Sequence, residues 1–208
     1  MTLVKICGIT NLDDELAAVA AGADALGFNF YKPSPRYITP QHAREIIEQL
    51  TDSVLTVGVF VNEEAASIKD IADESGIKGL QLHGDESPAY CHELAADYYV
   101  IKTFAVSETF DPQTPNEYKV EAIMLDTKHN SLRGGTGRAF DWSVARRLAP
   151  TITKLFLAGG LSPENVENAI ETVRPFAVDA CSALEDRPGK KNHERMRVFV
   201  NAVRRVAP

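Results

Sequence analysis

Cys7 lies in the stretch Lys5-Ile6-Cys7-Gly8-Ile9-Thr10, where a thiol follows a lysine by two residues and precedes a glycine. If the stretch is a strand, Lys5 and Cys7 share one face. The ammonium then favours the thiolate over the thiol, whose reference pKa is about 8.5. Gly8 lets a ligand come close to the backbone. Cys7 is thus a candidate base or nucleophile, although a free strand cysteine can also be a small buried hydrophobe. Asp126 closes the apolar run Ala122-Ile123-Met124-Leu125. It is either the cap of a local turn or an inward catalytic carboxyl, and as a proton donor at neutral pH it needs burial to raise its pKa from about 3.9.

Three further groups invite chemistry. Gly159-Gly160, followed by Ser162-Pro163-Glu164, offers free backbone N–H groups and a helix N-terminus, the ingredients of an anion site; a plain left-handed turn is the other reading. Arg36, in Lys32-Pro33-Ser34-Pro35-Arg36-Tyr37, is a candidate bidentate clamp for a carboxylate or else a solvated surface arginine. His83 ends the run Gly79–His83 and is either functional or a hydrogen-bonded structural histidine. His42, His92, His129 and His193 have no metal-ligand spacing and are expected at the surface.

The elements that must position these residues repeat along the chain. Short apolar, β-branched runs alternate with amphipathic runs rich in Ala, Glu and Lys, the pattern of strand–helix units. Eight strands are expected, at Val4–Ile9, Ala25–Phe30, Leu55–Val61, Gly79–His83, Val100–Phe104, Ala122–Asp126, Lys154–Ala158 and Phe176–Cys181, each followed by a helix. Helix starts are expected at Thr10, Thr39-Pro40, Ser87-Pro88 and Ser162-Pro163, where a capping side chain or an N1 proline stands. Shared among eight units, 208 residues leave 26 each, enough for a closed α/β (β/α)8 TIM barrel. No linker or low-complexity tract interrupts the pattern, so residues 1–208 are read as a single barrel domain. Strand periodicity turns Val4, Ile6, Leu80, Leu82, Ile123, Leu125 and Val178 outward and Lys5, Cys7, Gln81, His83, Asp126 and Asp179 inward. The polar inward residues collect at the C-terminal strand ends, where barrel enzymes carry their chemistry.

A formal net charge of −7 opposes non-specific binding to nucleic acid or to an anionic membrane. The three cysteines, Cys7, Cys91 and Cys181, are odd in number and widely spaced, which indicates a reducing compartment. With no signal peptide and no spanning apolar run, a cytoplasmic protein is expected.

The segments Lys5–Thr10, Gly27–Tyr37, Val57–Asn62, Gln81–Gly84, Leu125–Thr127, Gly134–Trp142, Leu157–Val166 and Val173–Asp179, together and in this order, resemble the phosphoribosylanthranilate isomerase family. The similarity runs from the first strand to Pro188-Gly189-Lys190-Lys191. It implies a (β/α)8 barrel that carries out an Amadori rearrangement on a small phosphorylated substrate, as a monomer or homodimer, without metal or organic cofactor. By the resemblance, Cys7 is the general base, Asp126 the general acid, and Arg36 the residue that binds the anthranilate carboxylate. His83 and Asp179 contact the substrate, and Gly159, Gly160, Ser182 and Ala183 bind its phosphate. Cys181-Ser182-Ala183-Leu184-Glu185 stands where that family usually has Ser-Ser-Gly-Val-Glu. If that glycine has φ > 0, Ala183 is expected to be strained or to reshape the loop. The related isomerase barrels of histidine biosynthesis instead resemble two half-barrel repeats with an aspartate as base on the first strand; here Cys7 stands there, without a clear half-chain repeat. A non-catalytic phosphate-ligand sensor on the same fold is disfavoured by the presence of both Cys7 and Asp126.

Overall fold

A computed structural model describes residues 1–50, 53–107, 109–127 and 142–206. His129 and all but the last residue of the Gly134–Trp142 motif lie outside the described residues.

Eight parallel strands close into a barrel in sequence order. They are β1 (Leu3–Cys7), β2 (Ala25–Asn29), β3 (Leu55–Phe60), β4 (Gly79–Leu82), β5 (Tyr99–Val106), β6 (Ala122–Thr127), β7 (Leu155–Leu157) and β8 (Ala177–Ala180). Closure is made between β1 and β8, with Val4 opposite Val178 and Lys5 opposite Asp179. The outward residues Val4, Ile6, Leu80, Leu82, Ile123, Leu125 and Val178 join one large core with the helices. Val57, Ile101, Met124 and Phe156 fill the barrel interior as a separate apolar layer. Polar inward side chains therefore sit above a dry plug, at the C-terminal mouth.

The helices are α1 (Leu12–Ala21), α2 (Pro40–Ile47), α3 (Ala65–Ser75), α4 (Pro88–Leu94), α5 (Ser143–Leu148), α6 (Val166–Val173) and α7 (His193–Arg205). In α6 the buried residues Val166, Ala169, Ile170 and Val173 follow the spacing of one helical face. Burying each of the larger ones stabilises the fold by about 1.5–3 kcal/mol. Thr39 and Ser87 cap α2 and α4 as expected, accepting from the N–H groups of His42 and Tyr90 ahead of an N1 proline.

Three expectations need correction. Thr10 does not cap α1: Asn11 does, accepting from Asp14 N at 3.0 Å, while the Thr10 hydroxyl donates to Gly189 O at 2.5 Å. The regular part of α6 begins at Val166, not at Ser162-Pro163, because a turn from Ser162 comes first, with Val166 N donating to Ser162 O. No α-helix follows β5 among the described residues; Thr114–Glu117 forms a 3-10 turn. Pro112 and Pro115 remove backbone donors that a helix in this short connection would need.

Candidate active site

β1 and β8 bring the thiol side of the site together. Lys5 is fully buried, and its ammonium donates to Asp179 Oδ1 at 2.7 Å. The Asp179 partnership holds Lys5 charged despite burial, pushing its pKa above the ordinary lysine value. Cys7, 8% exposed, lies two residues on and faces the same way. Hydrogen bonding with the Cys181 thiol, whose sulfur also donates to Glu185 Oε1 at 3.9 Å, and the positive charges of Lys5 and Lys191 outweigh burial and bring the Cys7 pKa down to about 6. Cys181 keeps its own proton, its pKa raised well above the usual range by that bond and by burial. Cys7 is therefore the ionised member of the pair near neutral pH. Gly27 on β2 makes room for it: a Cβ there would come within 2.6 Å of Cys7 Sγ.

Arg36 reaches the same rim from the loop after β2 and forms an ion pair with Glu185 at 2.6 Å. Lys191 donates to Glu185 Oε1 at 2.9 Å and to Cys181 O at 3.3 Å. Burial alone would raise the Glu185 pKa, but hydrogen bonds from Arg36 and the charge of Lys191 hold it below the ordinary carboxylate value. Glu185 and Lys191 belong to a hairpin formed by β9 (Glu185–Arg187) and β10 (Lys190–Lys191), pinned to α1 by Asp14, which accepts from Lys190 Nζ and Lys191 N at 2.8 Å each.

Across the mouth, Asp126 stands at the C-terminal end of β6, three strands from β1 by way of β7 and β8. Its Oδ2 is 3.4 Å from His83 Nε2, and the two side chains are 28% and 33% exposed. Gln81 Nε2 lies 3.1 Å from His83 Nδ1. Donation from that amide leaves the ring proton on Nε2, facing Asp126. Asp126 is thus only partly buried, with a neighbour that can hold its carboxylate form.

Between these two sides, Gly159 and Gly160 follow β7 with φ of 86° and 70°, a left-handed conformation that suits glycine. Asn165 Nδ2 donates to Gly160 O at 2.9 Å and fixes this turn. Ser182–Leu184 forms a 3-10 turn after β8. The N–H groups of Gly159, Gly160, Ser182 and Ala183 have no acceptor among the described residues. Ala183 is absent from the non-glycine residues with positive φ, so alanine there meets none of the strain that a left-handed position would impose.

His42, His92 and His193 are exposed. A cleft of about 630 Å³ lined by Met1, Arg174, Phe176 and Arg205 opens at the opposite, N-terminal end of the strands and contains none of the site residues. Sequence reasoning did not single out the side chains that contact these residues. Cys181 was legible, since it stands two residues past the inward-facing Asp179, directly after β8; Glu185 and Lys191 reach the site from a hairpin that short-range pattern does not place.

A closed parallel barrel with an ionisable thiol and a carboxyl across its C-terminal mouth, and unpaired N–H groups between them, defines a barrel enzyme of acid–base chemistry. Residues 4–202 match the family described as N-(5'phosphoribosyl)anthranilate (PRA) isomerase. The chain is 50% identical over 200 residues to the N-(5'-phosphoribosyl)anthranilate isomerase of Thermotoga neapolitana, covering 96% of this chain and 97% of that protein. The crystal structure of phosphoribosyl anthranilate isomerase from Thermotoga maritima superposes with a TM-score of 0.92 at 46% identity, covering 98% of this chain and 99% of the other. A further isomerase structure, in complex with reduced 1-(o-carboxyphenylamino)-1-deoxyribulose 5-phosphate, has a TM-score of 0.89 at 44% identity, with coverage of 98% and 99%. The chain belongs to the N-(5'-phosphoribosyl)anthranilate isomerase family.

Proposed function

We propose that Cys7 and Asp126 act as general base and general acid in the isomerisation of N-(5'-phosphoribosyl)anthranilate to 1-(2-carboxyphenylamino)-1-deoxyribulose 5-phosphate, an Amadori rearrangement in tryptophan biosynthesis. The observation that carries this reading is the Cys7 sulfur, which lies beside the Cys181 thiol and faces Lys5, surroundings that bring its pKa down to about 6. It stands on the same rim as a carboxyl that can act from the other side of the mouth.

The Asp126 carboxyl gives its proton to the furanose ring oxygen. The C1–O bond breaks as the anilino nitrogen lone pair forms an iminium bond to C1. Cys7 takes the proton from C2, and the C2–H electrons form C1=C2 while the nitrogen recovers its lone pair. The resulting enolamine tautomerises to the C2 ketone. Base and acid need opposite protonation states at one pH, and the cation-flanked thiol meets the base's side of that requirement. His83 steadies the carboxylate once its proton has left.

Arg36 binds the anthranilate carboxylate, and the N–H groups of Gly159, Gly160, Ser182 and Ala183 bind the phosphate. Asp179, with Oδ1 held by Lys5, offers its other oxygen to a substrate hydroxyl. The ligand named for the related complex contains both an aromatic carboxylate and a 5-phosphate. A Thermotoga maritima relative is described as dimeric, and we extend that assembly to this chain as a homodimer. Three free cysteines fit a cytoplasmic setting, and no described helix is long and apolar enough to cross a membrane.

The test supplies N-(5'-phosphoribosyl)anthranilate generated in situ and follows the loss of its fluorescence. Turnover by the intact protein, with loss of about a hundredfold or more in Cys7→Ser and Asp126→Asn, is expected. No turnover, or undiminished turnover in both variants, overturns the reading.

A further inference from the structure

General base catalysis needs one thiol, yet the site holds two. Cys181 lies two residues beyond Asp179 just as Cys7 lies two beyond Lys5, and Lys5 and Asp179 are register partners on β1 and β8. The register runs to Ile6 opposite Ala180, so the cysteines stand side by side where the two strands end. Adjacent strands run about 4.8 Å apart, inside the range of about 4.4–6.8 Å that Cα atoms keep across a disulfide. The two sulfurs are close enough to share a proton, and Cys181 Sγ also lies 3.9 Å from Glu185 Oε1. Gly8 keeps the path open: a Cβ there would lie 2.9 Å from Cys181 Sγ. Lys191 Nζ, 3.7 Å from Cys181 Sγ, places a cation beside the pair. The remaining cysteine, Cys91, is on α4, fully buried in the outer core.

We propose that Cys7 and Cys181 form a dithiol modification site, at which a hydroperoxide links them as a disulfide and so removes the base from the reaction. The loss of activity rests on the reading of Cys7 as the base; the bond itself does not. In the first step the Cys7 thiolate attacks one peroxide oxygen, the O–O bond breaks, and hydroxide leaves, giving a sulfenic acid at Cys7. In the second, the Cys181 sulfur attacks the Cys7 sulfur and the S–O bond breaks. The displaced hydroxyl leaves as water with the proton that Cys181 carried. Two thiol sulfurs have been oxidised and one peroxide reduced.

The pair is asymmetric in the sense this sequence requires. Cys7 is the deprotonated, attacking sulfur, and Cys181 the protonated, resolving one. A resolving thiol in contact with the sulfenic acid competes with further oxidation to the sulfinic acid, which thiols do not reverse. The second cysteine thus protects the first.

The experiment treats the full-length protein and its Cys181→Ser variant with hydrogen peroxide, measures isomerase activity before and after dithiothreitol, and maps cysteines by non-reducing peptide mass spectrometry. In the unmodified sequence a peptide linked through Cys7 and Cys181 is expected, with activity lowered about a hundredfold, the size of a lost acid–base group, and restored by dithiothreitol. In Cys181→Ser, scored against its own untreated rate, the loss is expected to persist after dithiothreitol, with Cys7 carrying two or three added oxygens. Absence of the linked peptide, a link through Cys91, or equal recovery of the variant overturns the proposal. A linked protein that retains full activity overturns instead the assignment of Cys7 as base, because the bond is read by mass and not by turnover.

Discussion

Arg36 donates from Nε to both carboxylate oxygens of Glu185, at 2.8 and 3.1 Å, and from Nη2 to Oε2 at 2.6 Å. Because Lys191 shares that carboxylate, a single buried anion sets the guanidinium plane and ties it to the hairpin beyond β8. Nη1 has no acceptor among the described residues. The edge turned away from Glu185 is the one free for a substrate carboxylate.

Arg36→Met removes that edge and is expected to raise KM about tenfold or more, the worth of a hydrogen bond to a charged group, with a smaller fall in kcat. The carboxylate proposed to bind there is remote from C1 and C2, so on that reading ground state and transition state lose the contact alike. Glu185→Gln, which leaves the guanidinium in place but less firmly oriented, is expected to shift KM in the same direction by less. Steady-state kinetics check both; a fall confined to kcat contradicts the assigned role.

The two thiols titrate as a unit, and the proton stays with Cys181. The acid limb of kcat/KM is therefore expected near pH 6, the pKa of Cys7, with activity rising as pH increases through it. Cys181→Ala removes the donor that stabilises the thiolate and moves the limb toward the ordinary thiol value of about 8.5. Cys181→Ser keeps a donor and lies between. The rate deficit of the alanine variant should be large near neutrality and small at about pH 9, above the reference thiol pKa; an equal deficit at every pH would indicate structural damage.

Much of this geometry could be read before any coordinates. Strand periodicity sorted Val4 and Ile6 from Lys5 and Cys7 correctly because a barrel strand has an apolar helix layer on one side and a crowded lumen on the other, so a one-residue slip would exchange every side chain. Proline-marked helix starts at Thr39 and Ser87 were legible for the same local reason. The missing helix after β5 was not, because composition there competes with two prolines. Nor was the clasp of Arg36 by Glu185, 149 positions apart, since it depends on where the β9–β10 hairpin folds back. Asp179 was expected to meet substrate, and its ion pair with Lys5 became visible only through the register of β1 on β8.

Lys102 and Glu86 form another buried ion pair, at 2.6 Å with side chains 2% and 3% exposed, outside the barrel beneath the loop after β4. Burial alone would raise the Glu86 pKa, but hydrogen bonds from Lys102 and from Asn62 N hold it below the ordinary carboxylate value. A carboxylate with a depressed folded-state pKa stabilises the fold fully above its unfolded pKa, about 4.3, and loses that contribution as pH falls through the folded value. Glu86→Gln leaves Lys102 buried without a countercharge and is expected to cost about 3 kcal/mol at neutral pH, less as pH drops below about 4. Urea unfolding at the two pH values measures the difference; a constant cost would mean that the charge of Glu86 is not what stabilises.

Gly27 is the neighbour on which the position of the Cys7 thiol depends. A Cβ at residue 27 would lie 2.6 Å from Cys7 Sγ and 3.1 Å from both Cys7 Cα and Lys5 Nζ, so Gly27→Ala cannot be accommodated by a single side-chain rotation. The strand hydrogen bonds in this region, including Gly8 N and Ile9 N to Gly27 O at 2.9 and 3.0 Å, oppose a backbone retreat. The sulfur must therefore move, away from the Lys5 ammonium or from Cys181. A displacement approaching 1 Å at a catalytic group costs about a hundredfold in rate, whereas overpacking by one methyl costs about 1–3 kcal/mol of stability. Gly27→Ala is expected to fold, with a lower unfolding midpoint, and to lose most of its kcat while KM changes little. Kinetics and a denaturation curve on the same preparation separate the two effects, and unchanged kcat in a folded variant would show that the placement of the thiol tolerates what this geometry forbids.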